Sequence, residues 1–401
     1  MYKKFISIPL LLGLLSCSTV VRNVFGNQLI DSHYAPKKQI NTFYTEIPYK
    51  IEKGRIMIKA KINNSEKEYN FMFDTGAITI ISDVLVPELG LKDGVTVVNR
   101  DTFNNETVGV SYLTSLKIGS LDIKNLRINT ATTDLFSKKC SQNIDGIIGP
   151  NILNQGFYYF NARERILVIT NIKEKLPLNK FGKSTRLKRF LGQPYLKIKG
   201  ANKVWLKLDT GYANGFLLVN ENSKIVSRKD KQLKQKKMSF KGLFSEEIKT
   251  VSYYEREVFI GQNAFLNTIE QYSNKNCNGY IGSKIIEDND IVIDVPNKRF
   301  YLLKVYDTKI DNNIANINFR FKKDKVIIGA LSKGGALEDK GITMNDTVYK
   351  INNISIEEIK DECELEDFKK KYINNIFPLI IEINKNNKFQ KFTISKKEFY
   401  E

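Results

Sequence analysis

Residues 71–77 read Phe-Met-Phe-Asp-Thr-Gly-Ala, and residues 206–212 read Leu-Lys-Leu-Asp-Thr-Gly-Tyr. In both stretches a strand-like run ends in an acid, a small hydroxyl residue and a glycine, which is typical of a carboxylate held on a tight turn. One such triplet is a weak signal, because it also occurs at ordinary strand-to-turn junctions. The repetition makes Asp74 and Asp209 candidates for a functional pair.

Each triplet is followed, after nearly the same interval, by a glycine-rich apolar segment. Residues 145–149 read Asp-Gly-Ile-Ile-Gly, and residues 278–282 read Asn-Gly-Tyr-Ile-Gly. A Ser-Tyr pair lies between triplet and segment in both copies, at 111–112 and at 252–253. We interpret this matching order as an internal duplication.

The spaced pair of motifs resembles the aspartic peptidases, the pepsin and retropepsin clan. In that family each lobe gives one Asp-Thr/Ser-Gly loop, and an apolar-apolar-Gly segment packs behind it. The resemblance covers roughly residues 45–305. It implies a mainly β, bilobal, pepsin-like double β-barrel, with Asp74 and Asp209 as catalytic residues that face each other across a cleft.

The resemblance also implies supporting roles around each aspartate. Thr75 and Thr210 would hydrogen-bond to the opposite loop, while Gly76 and Gly211 allow the turns and leave backbone N–H groups facing the carboxylates. Two carboxylates about 3 Å apart share one proton, so the charged one can draw a proton from water while the neutral one donates to a substrate carbonyl. This chemistry predicts hydrolysis without a metal ion or any cofactor.

Three aromatic residues are candidates for contacting a substrate. Residues 97–113 read as a hairpin with a polar tip. At this point in the family a flap closes over the substrate, so Phe103 and Tyr112 are candidates for lining it, although ordinary cross-strand aromatic pairs fit equally well. After the glycines, where the family commonly has Ser or Thr, this chain has Ala77 and Tyr212. Tyr212 is the third candidate, because a bulky phenol beside the aspartate could obstruct or narrow the cleft.

The two unusual neighbours of the glycines also predict a higher pH optimum. A hydroxyl at this position can donate to the outer oxygen of its aspartate and so favour the ionised form. Ala77 cannot donate, and Tyr212 is too long to reach back in the same geometry. With fewer donors the singly protonated pair persists to higher pH, so we predict a weakly acidic to near-neutral optimum.

The beginning of the chain predicts export and lipid attachment. Lys3 and Lys4 precede an apolar run at 5–15, which is about half of the ~20 residues that a helix needs to cross a bilayer. Residues 14–17 read Leu-Leu-Ser-Cys and resemble a bacterial lipoprotein box, in which cleavage before Cys17 leaves a lipid-modified, membrane-anchored protein. A plain secretory signal with a chance cysteine is the alternative. The expected location is the cell envelope, lipid-anchored at the outer membrane or the periplasmic face.

The final segment resembles a PDZ domain of the bacterial protease-associated kind. Residues 330–337 lead into a Gly-Ile turn at 341–342, followed by an Asn-Asp turn at 345–346 and a strand that ends at 351–352. The resemblance implies a small α+β domain with a longer helix at 357–371 beside a groove, and a peptide C-terminus as a possible partner. The peptide-carboxylate loop does not stand out, so a packing module is the alternative.

These landmarks divide the chain into six segments. The predicted bounds are 1–16 for a lipoprotein signal peptide, 17–44 for a tether, 45–172 for lobe 1, 173–192 for the lobe connection, 193–305 for lobe 2 and 312–398 for the PDZ-like domain.

Charge and rare residues narrow the possible chemistry. The 401 residues carry a net charge of +19 and one histidine, His33, which lies in the predicted tether. Ser-His-Asp and Cys-His arrangements in the body are therefore excluded. The basic residues are spread along the chain, and their densest cluster, at 224–241, favours a solvated face, so no nucleic-acid partner is expected. Cys140 and Cys277 could form a bridge after export, but free thiols are favoured, because similar placement in two lobes does not bring two cysteines together.

Three hypotheses from different classes remain. A membrane-anchored aspartic endopeptidase that acts on a protein or peptide substrate is favoured by the paired motifs. A catalytically inactive peptide-binding envelope protein would use the cleft and the PDZ-like module, both by strand addition. A basic envelope or nucleic-acid binder rests on charge alone.

Overall fold

The computed structural model describes most of the chain beyond the predicted tether. No helix in this part of the chain is both long and apolar enough to cross a membrane. The predicted signal peptide lies outside the described residues, as do Cys17, Phe103, Cys140 and Cys277. The described residues are 36–91, 95–100, 105–132, 136, 144–213, 215–241, 246–273, 278–306, 314–374, 376–385 and 388–400.

The chain is mainly β, as the sequence predicts. In β3, four alternate residues, Ile56, Ile58, Ala60 and Ile62, are buried in the core, so the period-two pattern has its expected cause. The elements of the first half are β1 (Tyr44–Pro48), β2 (Lys50–Glu52), β3 (Arg55–Ile62), β4 (Glu68–Phe73), β5 (Ile80–Ser82), α1 (Leu85–Glu88), β6 (Val95–Arg100), β7 (Asn105–Ile118), β8 (Leu121–Ala131), β9 (Gly146–Ile148), β10 (Phe157–Asn161) and β11 (Ile166–Thr170).

Six strands of the first half close into a barrel, which we call lobe 1. Strand β3 pairs antiparallel with β4 and with β7, and β4 runs parallel to β9. Strand β9 pairs antiparallel with β5, β5 runs parallel to β8, and β8 returns antiparallel to β7. The predicted hairpin at 97–113 is confirmed, because β6 pairs antiparallel with β7.

The second half repeats this pairing in a second closed barrel, lobe 2. Strand β13 pairs with β14 and β17, β14 runs parallel to β19, β19 pairs with β15, and β15 runs parallel to β18, which returns to β17. The elements are β12 (Thr185–Phe190), β13 (Gln193–Lys199), β14 (Lys203–Leu208), β15 (Leu217–Asn220), β16 (Gln232–Lys241), β17 (Glu246–Ile260), β18 (Asn263–Tyr272), β19 (Gly279–Ile281), α2 (Lys284–Asp288), β20 (Asn289–Asp294) and β21 (Arg299–Lys304).

A shared antiparallel sheet joins the two lobes. Its strands follow the order β1, β11, β10, β20, β21, β12, so each half of the chain contributes three strands outside its barrel. The central pair places Tyr158 of β10 opposite Ile293 of β20. Strand β12 lies inside the segment 173–192 that was predicted as a connection. One hydrophobic core runs through both lobes, so they form a continuous packed unit.

The C-terminal residues have a hydrophobic core of their own. A helix is present in the region 357–371, but it begins at Glu362, where the Asp361 carboxylate accepts from the N–H groups of Cys363 and Glu364. The elements are β22 (Ile317–Lys322), β23 (Lys325–Ser332), α3 (Ala336–Asp339), β24 (Thr347–Ile351), β25 (Ile354–Ser355), α4 (Glu362–Tyr372), β26 (Leu379–Lys385), β27 (Lys388–Ile394) and α5 (Lys396–Tyr400).

This C-terminal unit contacts both lobes. Its strand β23 pairs antiparallel with β16 of lobe 2. Beside that pairing, the Glu246 carboxylate of β17 lies 2.6 Å from the Arg320 guanidinium and 2.9 Å from the Lys322 ammonium. On the lobe 1 side, the Lys53 ammonium donates to the sulfur of Cys363, which takes part in a disulfide bond.

Candidate active site

The two Asp-Thr-Gly turns begin where β4 and β14 end. The Asp74 N–H donates to the carbonyl of Ile148 on β9 at 2.9 Å, and the Asp209 N–H donates to the carbonyl of Ile281 on β19 at 2.9 Å. The apolar segment that follows each triplet in the sequence therefore lies directly beside its aspartate. Each turn is fixed to its own barrel by the parallel pairing of these strands.

Four hydrogen bonds made by Thr75 and Thr210 join one turn to the other. The Thr75 hydroxyl donates to the Leu208 carbonyl at 2.6 Å, and the Thr210 hydroxyl donates to the Phe73 carbonyl at 2.7 Å. In return, the Thr75 N–H donates to the Thr210 hydroxyl oxygen at 3.0 Å, and the Thr210 N–H donates to that of Thr75 at 3.2 Å. Both threonines are fully buried. These bonds hold the two lobes in register at the aspartates.

The two glycines let each carboxylate approach the opposite turn. The Gly76 N–H donates to Asp74 Oδ1 at 2.6 Å, and the Gly211 N–H lies 3.2 Å from Oδ1 of both Asp74 and Asp209. A Cβ atom at Gly76 would lie 2.3 Å from Asp209 Oδ2, and one at Gly211 would lie 2.3 Å from Asp74 Oδ2. A larger residue at either position would displace the opposite carboxylate, so glycine is what allows the two carboxylates to lie close together.

The first hairpin of each lobe also contacts the turn of the other lobe. The Gln193 side-chain amide, at the start of β13, donates to the Gly76 carbonyl at 2.6 Å. On the opposite side, the β2–β3 turn lies so close to lobe 2 that a Cβ atom at Gly54 would lie 2.1 Å from the Ala213 carbonyl oxygen. Both turns are therefore held by neighbours from the opposite barrel as well as from their own.

The environment of Asp74 favours its protonated form. Burial raises the pKa of Asp74 to about 7, and the charge of Asp209 acts in the same direction. The Gly76 N–H and the Lys207 ammonium lower the pKa but do not outweigh these effects. Asp74 therefore retains a proton up to near-neutral pH. Among the residues that the structure describes, no group of three or more His, Cys, Asp or Glu side chains is placed to hold a metal ion.

Sequence reasoning missed Lys207, which lies at the site. Its ammonium is 2.8 Å from Asp209 Oδ2, and the two side chains are only 15% and 14% exposed. The ammonium also lies over the Tyr280 ring, 4.7 Å from the centroid. Side chains two apart on a strand share a face, so a lysine at this spacing from the aspartate was a usable signal.

The aromatic candidates for substrate contact are placed differently from one another. Tyr212 packs in an apolar cluster of lobe 2, and its hydroxyl donates to the carboxylate of Glu270 on β18. Burial raises the pKa of Glu270 to about 7, against the opposing effect of the Tyr212 hydroxyl. Tyr112 lies on β7 and is 59% exposed. Among the hydrogen bonds and ring contacts of the described residues, none joins Tyr112 to either aspartate.

The family model described as aspartyl protease matches residues 58–152, which include Asp74. This match supports an aspartic peptidase family at the level of the first lobe. No curated protein sequence matches the chain.

The chain matches 384 chains of solved structures, including the following two. Basic 7S globulin from soybean covers 66% of this chain and 95% of its own, with 9% identity and a TM-score of 0.39. A retropepsin-like aspartic protease from Rickettsia conorii covers 33% of this chain and 96% of its own, with 20% identity and a TM-score of 0.25.

Proposed function

We propose that this protein is an aspartic endopeptidase that hydrolyses peptide bonds with a water molecule activated by Asp74 and Asp209. One observation carries the proposal: the reciprocal threonine bonds and the glycine contacts bring two carboxylates from opposite barrels to one place. The raised pKa of Asp74 adds support, because the reaction needs one proton on the pair near the working pH.

The hydrolysis conserves the single proton of the pair. As the water oxygen bonds to the substrate carbonyl carbon, the ionised carboxylate accepts a proton from water and the neutral carboxyl gives its proton to the carbonyl oxygen. The resulting tetrahedral diol then breaks its C–N bond, and the leaving nitrogen takes up a proton from the pair. One diol hydroxyl returns a proton to the pair as the new carboxyl group forms. The two aspartates therefore end with the one proton that they had at the start.

The proposed location of the protein is the cell envelope. A lipid on Cys17 would anchor the protein in the cell envelope, for which the Leu-Leu-Ser-Cys sequence is the support. Substitution of this cysteine, Cys17→Ala, should leave the protein unprocessed or release it into the soluble fraction. Unchanged mass together with unchanged membrane fractionation would contradict a lipid anchor.

The C-terminal unit is proposed as a PDZ-like module. The order of α3, β24, α4 and β26 supports this resemblance. A peptide C-terminus would be its ligand if the groove is open. The pairing of β23 with β16 supports the alternative role, in which the unit packs against lobe 2.

The direct test is incubation of the detergent-solubilised full chain with a mixed peptide library. We expect cleavage at internal peptide bonds, and we expect a transition-state-mimicking inhibitor of aspartic peptidases to suppress it. Peptides that bind but remain intact at every pH between 4 and 8 would favour the peptide-binding alternative and overturn the peptidase.

A further inference from the structure

The two lobes differ most sharply two residues before each aspartate. In lobe 1 this residue is Met72, which pairs with Met57 on β3 and Ile147 on β9. All three side chains are buried in one apolar cluster. In lobe 2 the corresponding residue is Lys207. Equivalent strands in equivalent barrels thus give one aspartate an apolar flank and the other a cationic flank.

The surroundings of Lys207 are built to hold an ammonium group. Its neighbours in register are Tyr195 on β13 and Tyr280 on β19, in place of the apolar neighbours of lobe 1. The ammonium contacts the Tyr280 ring and lies 2.8 Å from Asp209 Oδ2. An aromatic face and a carboxylate together replace part of the water that a buried lysine loses.

The charged and titratable groups that face the pair come from four elements. They are Asp74 after β4, Lys207 with Asp209 on and after β14, Tyr195 on β13 and Tyr280 on β19. Burial alone would lower the pKa of Lys207, but the charge of Asp209 and the hydrogen bond to it outweigh burial and raise that pKa. Lys207 therefore stays positively charged across the range in which the pair works.

We propose that Lys207 is a positioning residue that keeps Asp209 ionised and so gives the two aspartates different roles. This inference rests on the proposed function. Asp209 is then the base that takes a proton from water, and Asp74 is the acid that gives its proton to the substrate carbonyl. Lys207 itself transfers no proton. Its 2.8 Å contact is to Asp209 and not to Asp74, which makes the pair asymmetric before substrate arrives.

The test is the pH profile of kcat/KM for the full chain and for Lys207→Met, which copies the Met72 side of the site. Lys207→Met removes the cation that lies 2.8 Å from Asp209, so the negative charge of the pair is less stabilised and the acidic limb should move up by about one pH unit or more. Asp74 should also keep its proton longer, so the alkaline limb should move up, but by less. A second neutral variant, Lys207→Gln, should reproduce both shifts.

Two control variants isolate the role of the charge at this position. Lys203→Met removes an exposed lysine from the same strand and should leave both limbs in place. Lys207→Arg keeps the charge and should keep the limbs near their wild-type positions. Limbs that stay fixed in both neutral Lys207 variants, or that move equally in Lys203→Met, would overturn the inference.

A readout without turnover separates this inference from the proposed function. Carbon-13 labelling of the aspartate carboxyl carbons follows both groups by NMR, with Asp74→Asn and Asp209→Asn assigning the two signals. The acidic titration step of the pair should lie at higher pH in Lys207→Met than in wild type. If wild type cleaves nothing and this shift is seen, the peptidase proposal fails and the role of Lys207 stands. If the titration is unchanged, the role of Lys207 fails whatever the activity.

Discussion

Lobe 1 and lobe 2 share the pairing of all six barrel strands, yet their aspartates have different neighbours. The two lobes share the strand order and the positions at which β4 and β14 end. Barrel closure and the hydrogen bonds between Thr75 and Thr210 both depend on these shared features. The different part is the side chain two residues earlier, Met72 in one lobe and Lys207 in the other. The comparison shows that a repeated scaffold can keep its geometry while the chemistry of its two halves diverges.

The largest effect should come from removing either carboxylate, which tests whether the lobes act as one unit. Asp74→Asn and Asp209→Asn should each lower kcat/KM at least about a thousandfold, and the double variant should be hardly worse, because members of one catalytic unit are not additive. Asp324→Asn, at an exposed turn, is the control. Near-normal turnover in either single variant would mean that one lobe suffices.

Loss of the hydrogen bonds made by Thr75 should lower the free energy of unfolding as much as loss of those made by Thr210. Thr75→Val leaves the Leu208 carbonyl and the Thr210 N–H without partners in a buried site, and Thr210→Val does the same to Phe73 and Thr75. Each variant should lose roughly 2–4 kcal/mol of unfolding free energy in denaturant titrations. The serine variants at both positions keep the hydroxyl and should lose much less. If the two valine variants lost clearly different amounts of unfolding free energy, the two threonines would not contribute equally to the contact between the lobes.

The burial of Asp74 should appear as a pH dependence of stability. Its pKa is raised from 3.8 to about 7, so it favours the folded state below pH 3.8, and that contribution is lost as the pH rises to about 7. Asp74→Asn removes this loss, so at pH 8 it should be more stable than wild type by up to about 4 kcal/mol. At pH 4 the two proteins should unfold at similar temperatures. A gain that is equal at both pH values would contradict a raised pKa.

A hydroxyl added after the first glycine should make lobe 1 more like the usual family pattern. In Ala77→Ser we expect the new hydroxyl to donate to the Asp74 carboxylate and favour its ionised form, so the alkaline limb of kcat/KM should move down by about half a pH unit. Ala201→Ser, in an exposed turn, serves as the matched control. The idea fails if wild type works best at strongly acidic pH, or if Ala77→Ser leaves the alkaline limb in place.

The smallest effect concerns the C-terminal unit, which forms a strand pair with lobe 2 alone among the described strands. Glu246→Gln weakens the contacts to Arg320 and Lys322 and should cost less than about 1 kcal/mol, because the groups are partly exposed. Faster hydrogen exchange of the β16–β23 amides should report it. Glu247→Gln, next along β17, should leave those amides unchanged.

The structural features that could be predicted from the sequence are those that depend on residues close together in the chain. Alternation in β3 and the hairpin at 97–113 depend on neighbouring residues, so they could be read without the fold. Strand β12 was missed because its partners, β13 and β21, include one that lies far along the chain. The direction of Tyr212 was also out of reach, since it depends on Glu270, a residue on another strand.

The role of Lys207 could be predicted only in part from the sequence. Its spacing from Asp209 was visible in the sequence, but the contact depends on burial of both groups and on the Tyr280 ring. Neither property follows from a period-two pattern, which says which face a side chain occupies but not what covers it.

Both halves of this site belong to one polypeptide chain, and this affects how the site can evolve. A site built from two copies of one short chain receives every substitution twice, once on each side of its symmetry axis. A lysine beside both aspartates would place a positive charge next to the group that has to keep its proton. Because each half here has its own sequence, a lysine at position 207 does not require a lysine at the corresponding position of the other half, which is Met72. Covalent linkage of the halves is therefore what permits a one-sided charge at this centre.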